Sequence, residues 1–374
     1  MNYRHFCIGM VCLLFLMPTS VYCQQPYEPY LDFSKDTSKH VVIAAGTPTV
    51  YQGHPTSVLL ADGKTMFCVW CQDHGGNCGP FALSKDAGKT WKRVDDRLPK
   101  EFRKSRNCPT IFRMRDMRGK ERLFIFSQGN WNKEKRRYTE LIRVMSEDQG
   151  NTWKMMPTIP LTAVMPFTTM IRLKDGSYLA QYNDRHWETG KLWNRIFQIK
   201  SSDGGITWGK SRCVAQSNKM NLCEPFLLRS PDGEEICSIL RDNVGGALSK
   251  LIFSKDEGKS WSPMEESSWG LTGHRHHGVQ LEDGRWIIAF RDRAPHSPSM
   301  NNFVAWIGTY DDIKNKLPGK RIKLLHSFQH SDCGYASLSL LPDKGIFAVT
   351  YIKYKPDRDK HSIVGVRLSH TDLK

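Results

Sequence analysis

Short apolar stretches, each long enough only for a β-strand, recur along the chain between polar turns. The apolar or alternating stretches cover residues 65–70, 178–182, 236–240, 286–290 and 346–351. An Asp followed closely by Gly precedes each stretch and is typical of a hairpin turn. These pairs are Asp62-Gly63, Asp175-Gly176, Asp232-Gly233, Asp283-Gly284 and Asp343-Lys344-Gly345. No stretch carries a sustained helical period, so the pattern predicts an all-β protein made of repeated hairpins.

A second repeat, Ser-x-Asp-x-Gly-x-Thr/Ser-Trp, occurs four times between these hairpins. The copies begin at Ser84, Ser146, Ser201 and Ser254, so that successive starts lie 62, 55 and 53 residues apart. In such a turn the Asp carboxylate accepts backbone N–H groups, and the Gly supplies a positive φ. We expect the Trp to pack between neighbouring units. A further 55 residues on, Thr309-Tyr310-Asp311 resembles a decayed fifth copy.

The two repeats together define six units. Met114-Arg115-Asp116-Met117-Arg118-Gly119 supplies the hairpin missing between the first two. Four short strands in each unit of about 55 residues are typical of a propeller blade. The sequence therefore predicts a six-bladed β-propeller over residues 45–374, with no second domain. Residues 24–44 are expected to be an extended lead-in that lends a closing strand to the last blade.

The four copies resemble the Asp-box of the sialidase (neuraminidase) superfamily, and the resemblance covers nearly the whole chain after residue 44. It implies a propeller fold in which these turns lie on the outer rim, away from the active site. Their Asp residues are therefore interpreted as structural.

The first 23 residues are typical of an export signal. Arg4 and His5 precede an apolar run, residues 7–17, that is too short to span a bilayer. Cleavage is expected near Val21-Tyr22-Cys23. No later stretch resembles a transmembrane helix, so we expect an exported protein that is periplasmic, attached to the cell surface or secreted.

The chain is strongly basic, with a formal net charge of +16. Such a charge can attract an acidic glycan or a nucleic acid, or it can be a solvated surface without a target. Because no nucleic-acid motif and no long Lys/Arg run accompanies the charge, nucleic acid is discounted. We expect a glycan substrate, acidic in character, and no cofactor.

Eight cysteines follow the predicted signal peptide, and an even number in an exported chain allows disulfides. Cys68-x-x-Cys71 lacks a second pair at zinc-ligand spacing, so a buried thiol or a disulfide is favoured there. No metal site is assigned.

Polar residues recur where successive blades would open onto one face of the channel. One set lies near the start of each first strand, and the other follows each second strand. The first set comprises Gly53-His54-Pro55, Asn107-Cys108-Pro109, Met165-Pro166, Cys223-Glu224-Pro225, residues 274–277 and Gly334-Tyr335. The second set comprises residues 72–74, Gln128, residues 183–185, Arg241-Asp242, residues 291–293 and Tyr354. These positions predict a functional site on this face.

The resemblance to sialidases implies individual roles. Tyr335 resembles the nucleophile of the family, and Glu224 resembles the base that activates it, since a free Tyr hydroxyl is a weak nucleophile. Arg241, with Arg291 or Arg293, resembles the arginines that bind the carboxylate of the substrate. The alternatives are that Tyr335 merely lines the channel and that Glu224 merely pairs with Arg241.

The first blade departs from the family pattern. Where sialidases supply another arginine, this chain has Gly53-His54-Pro55, which puts recognition of a sialic acid carboxylate in doubt. Asp73 is the candidate proton donor, with His74 as its rival. His54, His74, His276 and His277 would provide groups that titrate near neutrality, for acid–base work or for substrate binding. A metal site built from these histidines is a lesser alternative.

The sequence thus predicts an exported glycoside hydrolase resembling an exo-α-sialidase. One alternative is a propeller glycosidase or a lyase of different specificity that uses His54 or His74. The other alternative is a propeller that binds glycans without catalysis.

Overall fold

A computed structural model describes residues 31–129, 131–134, 137–188 and 191–374. The predicted signal peptide and residues 24–30 of the predicted lead-in lie outside these residues. Within them, six sheets of four antiparallel strands follow one another along the chain, and one sheet carries an additional parallel strand. The predicted six-bladed β-propeller is confirmed.

Each blade is a meander whose strands run from the channel to the rim. The first strands are Gln52–Leu59, Arg106–Arg115, Thr169–Arg172, Leu222–Arg229, Gly273–Gln280 and Ser337–Leu340. The second strands are Met66–Gln72, Glu121–Gln128, Tyr178–Glu188, Ile236–Asp242, Trp286–Asp292 and Ile346–Ile352. The third strands are Cys78–Ser84, Leu141–Ser146, Lys191–Ser201, Lys250–Ser254, Phe303–Gly308 and Ser362–Leu368. The outer strands are Lys92–Arg93, Lys154–Ile159, Arg212–Ala215, Glu265–Glu266, Lys320–Leu325 and, for blade 6, His40–Ala44.

The beginning of the chain closes the ring. His40–Ala44 pairs with Ser362–Leu368 as the outer strand of blade 6, so both ends of the propeller meet in one sheet. Before it, Leu31–Asp32 adds a parallel strand beside Lys320–Leu325 of blade 5. A small hairpin of Trp131–Asn132 and Arg137–Tyr138 stands apart from the blades.

The hydrophobic core is divided among the interfaces between blades. Apolar residues on facing sheets form separate buried clusters, as in the interface of blades 5 and 6, where Ile287 and Ala305 share a cluster with Ala348 and Val364. The second strands Met66–Gln72 and Ile346–Ile352 read as nearly continuous apolar runs because both faces of their sheets are covered by neighbouring blades.

The four repeated turns have the same internal hydrogen bonds. In the first, Asp86 Oδ1 accepts the Thr90 N–H at 2.9 Å, and the Gly88 N–H donates to Ser84 Oγ at 2.9 Å. Equivalent bonds recur at Asp148, Asp203 and Asp256. The Trp of each turn packs toward the preceding blade, as Trp153 does edge-on against Phe67 and Phe81 of blade 1. The structural interpretation of these turns agrees with their geometry.

The expected fifth copy is wrong. Thr309 begins a short α-helix, Tyr310–Lys314, and caps it through a reciprocal pair of hydrogen bonds with Asp312. Without the Gly and Trp of the other copies, the chain closes a helical turn there instead. Short 3-10 helices cover Thr37–Lys39, Asp95–Arg97, Phe102–Lys104, Trp269–Leu271 and His370–Leu373.

The eight cysteines of the described residues, Cys68 included, have free thiols, and seven of them are buried. In the same part of the chain, no helix has the length and apolar character needed to cross a membrane.

Candidate active site

Four blades carry an equivalent distortion where their first strands begin. A β-bulge interrupts the pairing of the first and second strands in blades 1, 2, 4 and 5. Each bulge has a residue with a left-handed φ at the equivalent position: His54 at 51°, Cys108 at 44°, Glu224 at 49° and Arg275 at 58°. In blade 2 the preceding residue, Asn107, also has a left-handed φ, at 65°. Bulges re-aim side chains, and non-glycine residues at positive φ concentrate at functional sites. Three of these side chains converge on Tyr335, since His54 and Arg275 lie against its ring and Glu224 accepts its hydroxyl hydrogen bond. Cys108 lines the same cavity as Tyr335.

Tyr335 and Glu224 form the centre of this convergence. The Tyr335 hydroxyl donates to Glu224 Oε1 at 2.5 Å, and Arg241 Nη1 donates to the same oxygen at 2.8 Å. The other oxygen, Glu224 Oε2, is buried and has no partner among the described residues. Residues that are far apart in sequence thus form one hydrogen-bonded chain in which a phenol faces an ionised carboxylate.

Burial and charge set the protonation of this pair. Burial opposes ionisation of Glu224, but the positive charge and hydrogen bond of Arg241 outweigh it and lower the pKa of Glu224 to about 2. Burial and the negative charge of Glu224 raise the pKa of Tyr335 well above its ordinary value. At neutral pH the site therefore holds a neutral phenol and a carboxylate able to accept its proton.

Further positive charge surrounds the pair. The Arg275 guanidinium lies over the Tyr335 ring, 5.6 Å from its centroid, and has one buried nitrogen, Nη1, without a partner in the described part of the chain. Arg293 Nη1 donates to Asn301 at 2.6 Å, while Arg291 donates to the carbonyl of Ser331. Burial, together with the charges of Arg291 and Arg241, lowers the pKa of Arg293. Three guanidiniums thus lie close enough to repel one another.

A cluster of aromatic and imidazole rings borders the other side of Tyr335. The His54 ring lies 4.8 Å from the Tyr335 ring and 4.5 Å from the His74 ring, between centroids. Burial, followed by the charge of His74, lowers the pKa of His54 to about 3, so this imidazole is neutral at physiological pH. His74 Nδ1 lies 3.3 Å from Asp332 Oδ1.

A cavity of about 300 Å³ opens over these groups. His54, His74 and Tyr335 line it together with Trp131 and Tyr138 of the small hairpin. The Trp131 side chain is 47% exposed and meets Tyr138 edge-on at 5.0 Å. Polar groups and aromatic rings in one lining suit a sugar ring, which offers both hydroxyls and apolar C–H faces.

Seven predicted site residues are not among those that line this cavity. Glu224, Arg241, Arg291 and Arg293 belong to the charged group around Tyr335, whereas Asp73, His276 and His277 lie elsewhere. Asp73 is exposed, at a φ of 66°, in the turn beside His74, and it is not one of the residues that line the cavity. His276 is buried within blade 5, with Nε2 2.9 Å from the Leu271 carbonyl. His277 Nδ1 accepts the Leu338 N–H at 3.1 Å and lines a second cavity, further along the first strands.

The placement of His276 and His277 corrects the expectation that both reach the mouth. Successive side chains of a strand alternate between its faces, and the bulge shifts that alternation by one residue. As a result Arg275, rather than either histidine, occupies the position equivalent to Glu224. Aligning residues 274–277 with Cys223-Glu224-Pro225 could have revealed this.

Other members of the site had no signal in the sequence. Asp332 lies in the connection between blades 5 and 6, outside both repeats, and Tyr51, Tyr351 and His361 surround it. Their proximity depends on the closure of the ring, which brings blade 6 beside blade 1. Among the described residues, no group of three or more His, Cys, Asp or Glu side chains is arranged to hold a metal ion.

A family model described as a BNR repeat-like domain matches residues 93–329, which is more than half of the chain. This chain belongs to the BNR repeat-like domain family. No curated protein matches the BNR repeat-like protein in sequence.

Solved structures resemble this BNR repeat-like protein over nearly all of its length. A protein of unknown function from Dyadobacter fermentans is 19% identical, with a TM-score of 0.70 over 88% of this chain and 98% of its own. The α-L-arabinofuranosidase of Fusarium graminearum is 14% identical, with a TM-score of 0.65 over 90% and 99%. The intramolecular trans-sialidase of Ruminococcus gnavus is 14% identical, with a TM-score of 0.56 over 89% and 97%. At these identities the likeness shows a shared sialidase-like propeller fold.

Proposed function

We propose that this BNR repeat-like protein is an exported glycoside hydrolase that removes a terminal acidic sugar from glycans, in the manner of an exo-α-sialidase. The observation that carries the proposal is the hydrogen bond between the Tyr335 hydroxyl and Glu224 Oε1, at 2.5 Å, beside a sugar-sized cavity. Export rests on the predicted signal peptide, residues 1–23.

The pair supports hydrolysis through a covalent intermediate. Tyr335 Oη attacks the anomeric carbon while its proton passes to Glu224, and the bond to the leaving oxygen breaks. Water then attacks the anomeric carbon, the bond from that carbon to Tyr335 Oη breaks, and Glu224 returns its proton to Oη. The proton that the water loses passes to the acid that protonated the leaving oxygen in the first step. Sialidases, with a Tyr nucleophile, are an exception to the two-carboxylate scheme of most glycosidases.

The arginines support an acidic substrate. Arg241, Arg291 and Arg293 influence one another, and the buried Nε atoms of Arg241 and Arg291 lack partners among the described residues. A bound carboxylate would relieve the repulsion between the guanidiniums and accept their free N–H groups, which is the interaction that arginine forks make best.

A specific observation favours a second candidate. His54, a neutral imidazole, stands where the resemblance to sialidases leads one to expect another arginine, so one anchor for a carboxylate is absent. The structural likeness to an α-L-arabinofuranosidase makes a neutral pentofuranosyl unit the alternative sugar. A different specificity that uses His54 or His74, including lyase action, and glycan binding without turnover complete the alternatives.

Turnover of 4-methylumbelliferyl glycosides by the exported chain tests the proposal. The set includes an α-sialoside, a β-glucuronide and an α-L-arabinofuranoside. We expect hydrolysis of an acidic member. Turnover of the arabinofuranoside alone would show that the substrate sugar is neutral rather than acidic. Unsaturated products absorbing in the ultraviolet would indicate a lyase, and binding without turnover a lectin-like protein.

Arg293→Ala tests how the substrate carboxylate is bound. The variant should raise KM for the acidic glycoside by about tenfold or more, since a charge-assisted hydrogen bond contributes about 1.5–3 kcal/mol. Arg118→Ala, at an exposed turn position, is the matched control and should leave KM unchanged. An unchanged KM in Arg293→Ala would remove this residue from the substrate site.

A further inference from the structure

Asp332 is the hub of a hydrogen-bonded cluster beside the Tyr335 cavity. The Tyr51 hydroxyl donates to Asp332 Oδ2 at 2.9 Å, and the Tyr351 hydroxyl donates to Oδ1 at 3.0 Å. His361 Nε2 lies 2.6 Å from the Asp332 carbonyl oxygen. Since blades 6 and 1 both contribute, closure of the ring fixes the position of this carboxylate.

The cluster keeps Asp332 ionised. Burial opposes ionisation, but the hydrogen bond with His74 and the charges of His361 and His74 outweigh it and lower the pKa of Asp332 below its ordinary value. The hydroxyl of Tyr51 adds a further donor. Asp332 therefore presents a fixed negative charge to whatever faces it.

His74 is the group that faces this charge from the cavity. Its Nδ1 lies 3.3 Å from Asp332 Oδ1, while its side chain remains 66% exposed. With Nδ1 engaged, Nε2 is the nitrogen available to a substrate. The other titratable groups beside His74 are the neutral His54, Tyr51, His361 and, in the adjacent chain position, Asp73. Arg137, Tyr138 and Arg185 line the same cavity.

We propose that His74 is the proton donor to the leaving group and that Asp332 is its positioning residue. The proposal rests on the proposed glycosidase function and supplies the acid which that function requires. It replaces Asp73, which lies outside the cavity lining, and it excludes His54, whose buried imidazole stays neutral.

The proton moves as follows. While Tyr335 attacks the anomeric carbon, the imidazolium of His74 gives a proton to the glycosidic oxygen, and that oxygen keeps the electron pair of the breaking bond. Neutral His74 keeps the hydrogen on Nδ1, directed at Asp332. In the second step His74 takes a proton from the attacking water and is restored to the imidazolium.

The leaving group determines how strongly the rate of cleavage depends on a proton donor, so two substrates with different leaving groups test the role of His74. His74→Gln should keep the hydrolysis of a 4-methylumbelliferyl glycoside within about tenfold, since a phenolate leaves without help. The same variant should lose about 100-fold or more on a disaccharide of the same terminal sugar, whose alkoxide needs a proton. Asp73→Asn should leave both rates unchanged.

Asp332→Asn tests the positioning role through the leaving group. The variant removes the carboxylate that lies 3.3 Å from His74 Nδ1, so kcat/KM for the disaccharide should fall by about tenfold or more, while the rate on the 4-methylumbelliferyl glycoside stays within about threefold of the wild type. Asp332→Glu should restore part of the disaccharide rate, and Asp311→Asn, at an exposed site, should leave both rates unchanged. A merely structural role would lower both rates equally.

The outcomes separate the two proposals. A wild-type protein that cleaves no glycoside overturns the glycosidase function and this inference with it. If the wild type cleaves both substrates, the inference about His74 alone is overturned by either of two results. In one, His74→Gln lowers the two cleavage rates equally; in the other, it lowers neither rate. Loss of disaccharide cleavage in Asp73→Asn, with His74→Gln unaffected, assigns the proton to Asp73.

Discussion

The chemical character of Tyr335 comes from its neighbours rather than from the residue type. Burial and the charge of Glu224 hold the phenol neutral, while Arg241 holds Glu224 ionised. In the proposed reaction, the proton of Tyr335 is therefore expected to pass to Glu224 as the phenol oxygen forms its bond. An uncharged nucleophile also avoids the repulsion that a carboxylate would meet at an acidic sugar.

Glu224→Gln tests this dependence. The amide keeps the shape of the side chain but accepts no proton, so turnover should fall by about 10²–10⁴. Glu234→Gln makes the same substitution at a side chain that is 70% exposed and should keep the wild-type rate. A Glu224→Gln variant within threefold of the wild type in kcat would exclude Glu224 as the base.

The same carboxylate links stability to pH. The pKa of Glu224 falls from an ordinary 4.5 to about 2 on folding, so its stabilising effect is complete above pH 4.5 and is lost as pH falls toward 2. Between these values the melting temperature of the wild type should fall more steeply than that of Glu224→Gln. Parallel curves would show that Glu224 is not held ionised in the folded protein.

At the scale of elements, the blades contain two recurrent structural features with different roles. The bulge at the start of a first strand turns one side chain toward the channel, and the sequence varies that residue among His54, Cys108, Glu224 and Arg275. The repeated turn at the rim seals neighbouring blades through its Trp. The candidate site and the turns that seal the blades therefore lie at opposite ends of the same sheets.

Trp153→Ala tests the sealing role. The side chain is 8% exposed and packs edge-on against Phe67 and Phe81, so its removal should cost about 3–5 kcal/mol of unfolding free energy. Trp131→Ala, at a side chain that is 47% exposed, should cost less than about 1 kcal/mol. Denaturant unfolding measures both, and equal losses would contradict the sealing role of the turn.

For the whole molecule, closure of the ring creates part of the candidate site. The outer strand of blade 6 comes from residues 40–44, and the junction of blades 6 and 1 brings Asp332 against Tyr51 and His74. Loss of this closure should weaken both the fold and the acid side of the cavity.

A pair of truncations tests the closing strand. A chain beginning at residue 46 loses the ladder of His40–Ala44 with Ser362–Leu368 and exposes a sheet edge, so it should melt at least about 5 °C lower or aggregate. A chain beginning at residue 31 keeps that strand and is the control. Equal melting temperatures would contradict the closure.

The sequence could predict the repeating units of this molecule but not the contacts between residues that are distant in sequence. Four turn copies and six hairpins identify the propeller because each depends only on local chemistry. The pairing of Glu224 with Arg241 follows from one hairpin, whereas Asp332 meets His74 only through ring closure. The bulge at Arg275 shifts the register by one residue, so the sequence pattern alone wrongly predicts His276 and His277 at the mouth.

The most direct test of the central claim compares the wild type with Tyr335→Phe on the 4-methylumbelliferyl glycosides. We expect turnover of at least one glycoside by the wild type and a loss of about 10³-fold or more in Tyr335→Phe at an unchanged melting temperature. Tyr354→Phe, which removes a hydroxyl beside a separate groove, should keep full activity. Equal turnover by the wild type and Tyr335→Phe would contradict the assignment of Tyr335 as the nucleophile.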